Sequence, residues 1–138
     1  MRVYRSFLLI VCATTMSFTC GCAEDNPGKG NELAAAHILI THKYSSGRPP
    51  NITRTQIEAL ELAKEVVEKA RATGADFAAL AKEYSESPTG PAGGDLGIFS
   101  PITMARPFSE ATQALEIGAI SDPVRTPFGY HIILRKQP

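Results

Sequence analysis

Apolar residues change their spacing several times along the chain, and each change marks an element. Ile38, Leu39 and Ile40 form a short apolar run between polar residues, the pattern of a buried strand over Ala36 to His42. Strand alternation sends His37, Leu39 and Thr41 to one face and Ile38, Ile40 and His42 to the other. Tyr44 to Asn51 (YSSGRPPN) has loop composition. Ile57, Leu60, Ala63, Val67 and Ala70 then recur at three- and four-residue steps, which predicts a long helix with one apolar face. Thr53 and Gln56 have capping-box spacing at its start, and Gly74 is a natural stop. Glu61, Lys64, Glu65 and Lys69 belong to its wet side. Asp76 can cap a second helix, with Phe77, Leu80, Ala81 and Tyr84 facing the core.

Ser85 to Gly94 (SESPTGPAGG) is rich in breakers, and a short strand follows over Asp95 to Phe99. Pro107 suits the first turn of a further helix, which carries Phe108, Ala111 and Leu115 and ends near Gly118. Two strands close the chain, Pro123 to Arg125 and Tyr130 to Arg135, joined by the turn Thr126-Pro127-Phe128-Gly129. The order is strand, helices, strand, helix, strand, strand. Helices and hairpin strands are segregated, which argues for an α+β fold and against a parallel α/β sheet.

The start of the chain has a different character. Met1 to Arg5 is basic, and Phe7 to Phe18 is a mostly apolar run of 12 residues. That is shorter than the roughly 20 residues needed to span a bilayer, so it reads as a signal peptide. Gly21 before Cys22 resembles the processing box of bacterial lipoproteins, in which the cysteine is lipidated and becomes the new N-terminus. Thr19 and Cys20 depart from that box. Ala23 to Asn31 is polar and rich in Gly, Pro and Asn, a tether that would reach roughly 30 Å fully extended. The expected layout is a leader over 1–21, a lipidated Cys22 with its tether over 22–33, and a folded domain over 34–138.

Charge and cysteine usage then remove several function classes. Lys plus Arg equals Asp plus Glu, 14 each, and setting aside Arg2 and Arg5 leaves 12 basic residues against 14 acidic ones. Such a balance gives no reason to expect a nucleic-acid partner. Cys12, Cys20 and Cys22 all precede the folded part, which excludes a disulfide scaffold, a cysteine nucleophile and a cysteine-based zinc site there. His42 falls on the opposite face from His37, so a three-histidine metal site is not expected. Gly93, Gly94 and Gly97 fit neither a Walker loop nor a dinucleotide fingerprint. No metal or cofactor is expected, and the single domain is expected to act as a monomer.

Three stretches resemble parvulin-type peptidyl-prolyl cis-trans isomerases: HILITH (His37 to His42), GGDLGIFS (Gly93 to Ser100) and GYHIILR (Gly129 to Arg135). MARPF (Met104 to Phe108) and ALEIGAISDPV (Ala114 to Val124) extend the likeness over Ala35 to Gln137. The resemblance implies a four-stranded antiparallel sheet surrounded by helices, with the first and last strands adjacent at its centre. It implies that His37 and His131 are the paired histidines at the floor of the active site and that Thr126 is the hydroxyl residue beside them. It also implies that Leu96, Met104 and Phe108, with Phe128, take the substrate proline ring. Ser87 stands where relatives commonly have Cys or Asp, and it is carried as a fourth candidate catalytic residue. In the phospho-directed branch, the loop after the first strand bears a basic cluster. Here that loop offers Lys43 and Arg48, while Thr41 stands where a basic residue would be expected. Lys43 and Arg48 are candidates to meet an acidic or phosphorylated residue before the proline, or to be simply solvated.

The chemistry suits such residues. Turning an X–Pro bond unaided takes tens to hundreds of seconds, and amide resonance is what resists it. A catalyst need only bind the twisted amide better than the planar forms. An apolar cup to fix the ring and a few oriented polar groups suffice. The partners implied are proline-containing stretches of exported polypeptides, met near a membrane to which the lipid holds the domain. The alternative is a chaperone or adaptor that grips such stretches without turnover.

Overall fold

Alternation along the first strand separates two cores. In the computed structural model, which describes residues 32–138, β1 (Leu33–Ile40) turns Ala36, Ile38 and Ile40 to one side of a sheet. Leu33 and Ala35 face the other side. β1 takes in Leu33, the last residue of the expected tether, and ends two residues before the expected His42. The leader, Cys22 and the rest of the tether lie outside the described residues.

The sheet is completed by β2 (Asp95–Phe99), β3 (Val124–Thr126) and β4 (Gly129–Lys136), in the order β2-β1-β4-β3 with every pair antiparallel. This is the four-stranded α+β arrangement expected, with the first and last strands at the centre. Thr126 pairs with Gly129, so the turn is the two residues Pro127 and Phe128, and Thr126 belongs to β3. Between β1 and β2 the register slips: Ala36 faces Asp95 while Ala34 faces Ile98. The extra residue is Gly97, whose φ of 62° suits a bulge built on a left-handed glycine. As a result Leu96 and Phe99, an odd number of residues apart, both join the core on the same face.

Helix α1 (Gln56–Arg71) covers one face of the sheet through Ala59, Ala63, Val66, Val67 and Ala70. Its cap is Thr55 with Glu58, two residues later than expected, because Glu58 closes a full capping box with Thr55. Gln56 instead donates Nε2–H to the Tyr130 hydroxyl at 3.1 Å. Ala63, Val67 and Ala70 are buried as expected, whereas Ile57, expected in the stripe, is 74% exposed and Ala59 and Val66 are buried in addition. The helix ends at Arg71, and Gly74 serves the turn to α2 (Phe77–Tyr84) with a φ of 78°. Asp76 caps α2 as expected, accepting from the Ala78 and Ala79 N–H groups.

Helix α3 (Arg106–Ala114) packs on the opposite face through Phe108. It stops short of the expected Gly118. Its buried side also includes Ser109 and Thr112, whose hydroxyls are satisfied by the Pro101 and Phe108 carbonyls. The sheet thus has α1 and α2 on one side and α3 alone on the other. Part of that second side remains open, and His37 and His131 stand there.

Candidate active site

Two adjacent central strands bring the histidines together. His37 on β1 pairs with Ile133 of β4, and His131 on β4 pairs with Leu39 of β1, so the histidines are diagonal neighbours on one face. Diagonal positions lie within reach of aromatic side chains. The two rings are nearly parallel, 17° apart with centroids 5.2 Å apart, and their Nδ1 atoms are 3.0 Å from each other. Phe108 meets both edge-on, at 5.3 Å from His131 and 5.8 Å from His37.

Hydroxyl groups close the row at either end. His37 Nε2 lies 3.0 Å from Ser87 Oγ and 3.1 Å from Thr89 Oγ1, and those hydroxyls are 3.0 Å apart. His131 Nε2 lies 2.8 Å from Thr126 Oγ1, which also accepts from the Phe128 N–H at 3.2 Å. Proton counting gives the row a direction. If Thr126 accepted from His131 as well, its own buried proton would have no acceptor among these contacts. Thr126 therefore donates to His131 Nε2, His131 donates from Nδ1 to His37 Nδ1, and His37 donates from Nε2 to the Ser87–Thr89 pair. The spare hydroxyl proton then falls to Thr89, which is more exposed than Thr126.

This direction requires both rings to be neutral. Burial lowers the pKa of His37 to about 4. Burial, and then the nearness of His37, lowers that of His131 to about 3. Because the unfolded chain takes up protons on these histidines below the ordinary value of 6.5 and the folded chain does not, acid favours unfolding. Stability is expected to fall as pH drops from 6.5 towards 4, by on the order of 1 kcal/mol per pH unit for each ring. Denaturant unfolding of wild type and His37→Leu across that range checks this, and the variant is expected to show the shallower slope.

Above the histidines lies an almost wholly apolar cavity of about 240 Å³. Leu96, Met104, Phe108 and Phe128 line it, and His37, His131 and Ser87 form its floor. The bulge at Gly97 aims Leu96 into it, and the first turn of α3 supplies Phe108. Phe128, in the β3–β4 turn, is 47% exposed at its mouth. Leu39, Pro88 and Ala105 complete the lining. Leu39 could have been read from its alternation with His37, whereas Thr89 carries no pattern beyond lying in a hydroxyl-rich loop.

The two basic candidates lie elsewhere. Lys43 lines a separate groove with Gln56, Ile57 and Tyr130 on the α1 side, its Nζ 5.0 Å from the Tyr44 ring. Arg48 donates Nη1–H to the Pro49 and Ile52 carbonyls of its own loop, at 3.3 and 3.1 Å. His42 packs against Tyr44 and Tyr130, away from the histidine pair. Among the described residues no three His, Cys, Asp or Glu side chains gather as a metal site.

Three comparisons bear on this geometry. The family model for the PPIC-type PPIase domain matches residues 23–137. The peptidyl-prolyl cis-trans isomerase pin1 of Rhizopus delemar is 39% identical over 78% of this chain and 75% of its own length. The foldase protein PrsA of a Geobacillus species is 47% identical over 74% of this chain, which spans only 39% of that relative. Among solved structures, the peptidyl-prolyl isomerase ESS1 of Candida albicans superposes with a TM-score of 0.74 at 30% identity, covering 78% of this chain and 63% of that one.

Proposed function

The chain belongs to the family of PPIC-type peptidyl-prolyl cis-trans isomerase domains, and we propose that it turns X–Pro bonds of exported polypeptides while tethered to a membrane. The observation that carries the reading is the apolar cavity floored by two neutral histidines joined Nδ1 to Nδ1. The proline ring enters between Leu96, Met104 and Phe108. With the ring held, rotation about the C–N bond swings the preceding carbonyl across the floor. As the amide twists, its nitrogen loses conjugation and its carbonyl oxygen changes partners. Ser87 and His37 supply oriented dipoles there without a charge that would bind the planar amide tightly. No bond is made or broken, so the histidine row acts by holding shape and polarity. His37, His131, Thr126 and Ser87 are the proposed catalytic set, and Phe128 shields the ring from water.

Clients are proline-containing segments of proteins emerging across the membrane, in keeping with the foldase name of the PrsA relative. Gly21-Cys22 behind a basic and apolar leader supports a lipid on Cys22, with 22–33 as tether and 34–138 as the working domain. One experiment tests both parts. Wild type, Cys22→Ser and the pair His37→Leu with His131→Gln are expressed in a bacterium, and washed membranes are assayed for acceleration of a proline-limited refolding reaction. Wild-type membranes are expected to accelerate it, Cys22→Ser to move the activity to the soluble fraction, and the histidine variant to lose roughly tenfold or more. Activity that stays on membranes in Cys22→Ser would remove the anchor. Full activity in the histidine variant would reduce the pair to architecture.

A further inference from the structure

We propose that Glu86 sets the charge selectivity of the cleft by holding Arg54 neutralised at its edge, so that a carboxylate or phosphate before the proline gives no advantage. The proposal rests on the isomerase reading and names the substrate class of that site. It starts from an unfinished strand edge. β2 pairs with β1 no further than Ala36, and the His37 N–H then donates to the Gly94 carbonyl. Beyond that point the segment after α2 takes over. The Leu39 N–H donates to Ser85 Oγ at 3.1 Å, and the Glu86 N–H donates to the Leu39 carbonyl at 2.8 Å. The Thr41 N–H and hydroxyl both donate to Glu86 Oε2, at 2.7 and 2.6 Å. Arg54 donates Nη1–H to Glu86 Oε1 at 2.6 Å and to the Thr41 carbonyl at 3.1 Å.

This knot adjoins the catalytic floor. Leu39 lines the cavity, and Thr41 is two residues further along the same face, roughly 7 Å away. Ser87, which touches His37, follows Glu86 directly. The Arg54 and Glu86 side chains keep 27% and 16% of their surface, so the pair is in part open to solvent and to a peptide that runs past Leu39. A phosphate arriving there would have to displace a carboxylate already fixed by three hydrogen bonds, and would meet its charge. Three further cations in the surrounding loops and helices are already committed. Arg48 is turned to its own backbone, Lys43 lies over Tyr44 on the α1 side, and Arg106, next to Ala105, is paired with Glu110 at 2.6 Å.

The test is kcat/KM of the full chain for three peptides that differ only before the proline: Ala, Glu and phosphoserine. Wild type is expected to treat them within about fivefold of one another, the scale of solvated charge effects. Arg54→Gln should create no phosphoserine preference and should lower the phosphoserine-to-Ala ratio by a few fold, because it bares the Glu86 carboxylate. Glu86→Gln should free Arg54 and raise the phosphoserine-to-Ala ratio by about tenfold, chiefly through KM. Adding Arg54→Gln to it should return the ratio to the wild-type value. A phosphoserine preference in wild type that Arg54→Gln abolishes would overturn the proposal, and those two proteins decide it even if Glu86→Gln fails to fold. An unchanged ratio in folded Glu86→Gln, or a gain that survives in the double variant, would overturn it too. Wild type that accelerates none of the peptides would instead remove the isomerase reading beneath it.

Discussion

Truncating Leu96 and Met104 together to Ala is expected to lower kcat/KM for an Ala–Pro peptide by on the order of a hundredfold, as two lost apolar walls of about 1.5 kcal/mol each imply. Both side chains line the cavity and both are only partly buried. Their removal takes contacts from the bound ring and, although both also pack against the core, fewer from it than the loss of a fully buried side chain would. Phe108 is a poorer choice for this purpose. It is 3% exposed and central to the core formed with Leu33, Ala35, Phe99 and Ile133, so Phe108→Ala would confound catalysis with a stability loss of about 3–5 kcal/mol. Exchange spectroscopy gives the rate, and a thermal melt of the same sample verifies the fold. Near-wild-type turnover in the folded double variant would place the ring elsewhere.

A large loss of stability is expected from Gly94→Ala. Gly94 has a φ of 74°, a region that L residues avoid, and a Cβ there would overlap the His37 carbonyl. Left-handed strain and overpacking together are expected to cost about 3 kcal/mol or more. The same change attacks the site, since the Gly94 carbonyl accepts the His37 N–H at 2.8 Å. Gly47→Ala is the control: its φ is 69°, but nothing lies within 4 Å of the added carbon. It is expected to lose only about 1 kcal/mol. Denaturant midpoints of the two variants check the contrast, and equal losses would mean that the close approach at His37 is relaxed in solution.

Local periodicity explains what could be read in advance. Alternation over His37 to Ile40 put the histidine and the core isoleucines on opposite faces, and the pairing of β1 with β4 then carried His37 to His131. Features that depend on an exception to periodicity were harder. Simple alternation would put Leu96 and Ile98 on one face, but the bulge at Gly97 leaves Leu96 in the pocket and Ile98 exposed. The helix cap moved because Thr53 and Thr55 both offer a hydroxyl and only Thr55 has an acid three residues on. Long-range polar contacts left no local trace. Thr89 reaches His37 across 52 positions, and Glu86 and Arg54 meet across 32. Lys43 and Arg48 are placed by their loop. The resemblance made them candidates to meet an anion or to be simply solvated, and the loop turns one to an aromatic ring and the other to its own carbonyls.

Whether the cleft turns X–Pro bonds is decided by exchange spectroscopy on an Ala–Pro peptide with a catalytic amount of the purified chain at neutral pH, where both histidines are neutral. Unaided, the cis and trans forms interconvert over tens to hundreds of seconds. Cross-peaks between them are expected within a second or less, fading when Leu96 and Met104 are truncated. Peptide that binds in the cleft, with shifted resonances but no cross-peaks, would contradict this and leave a module that grips proline without turning it.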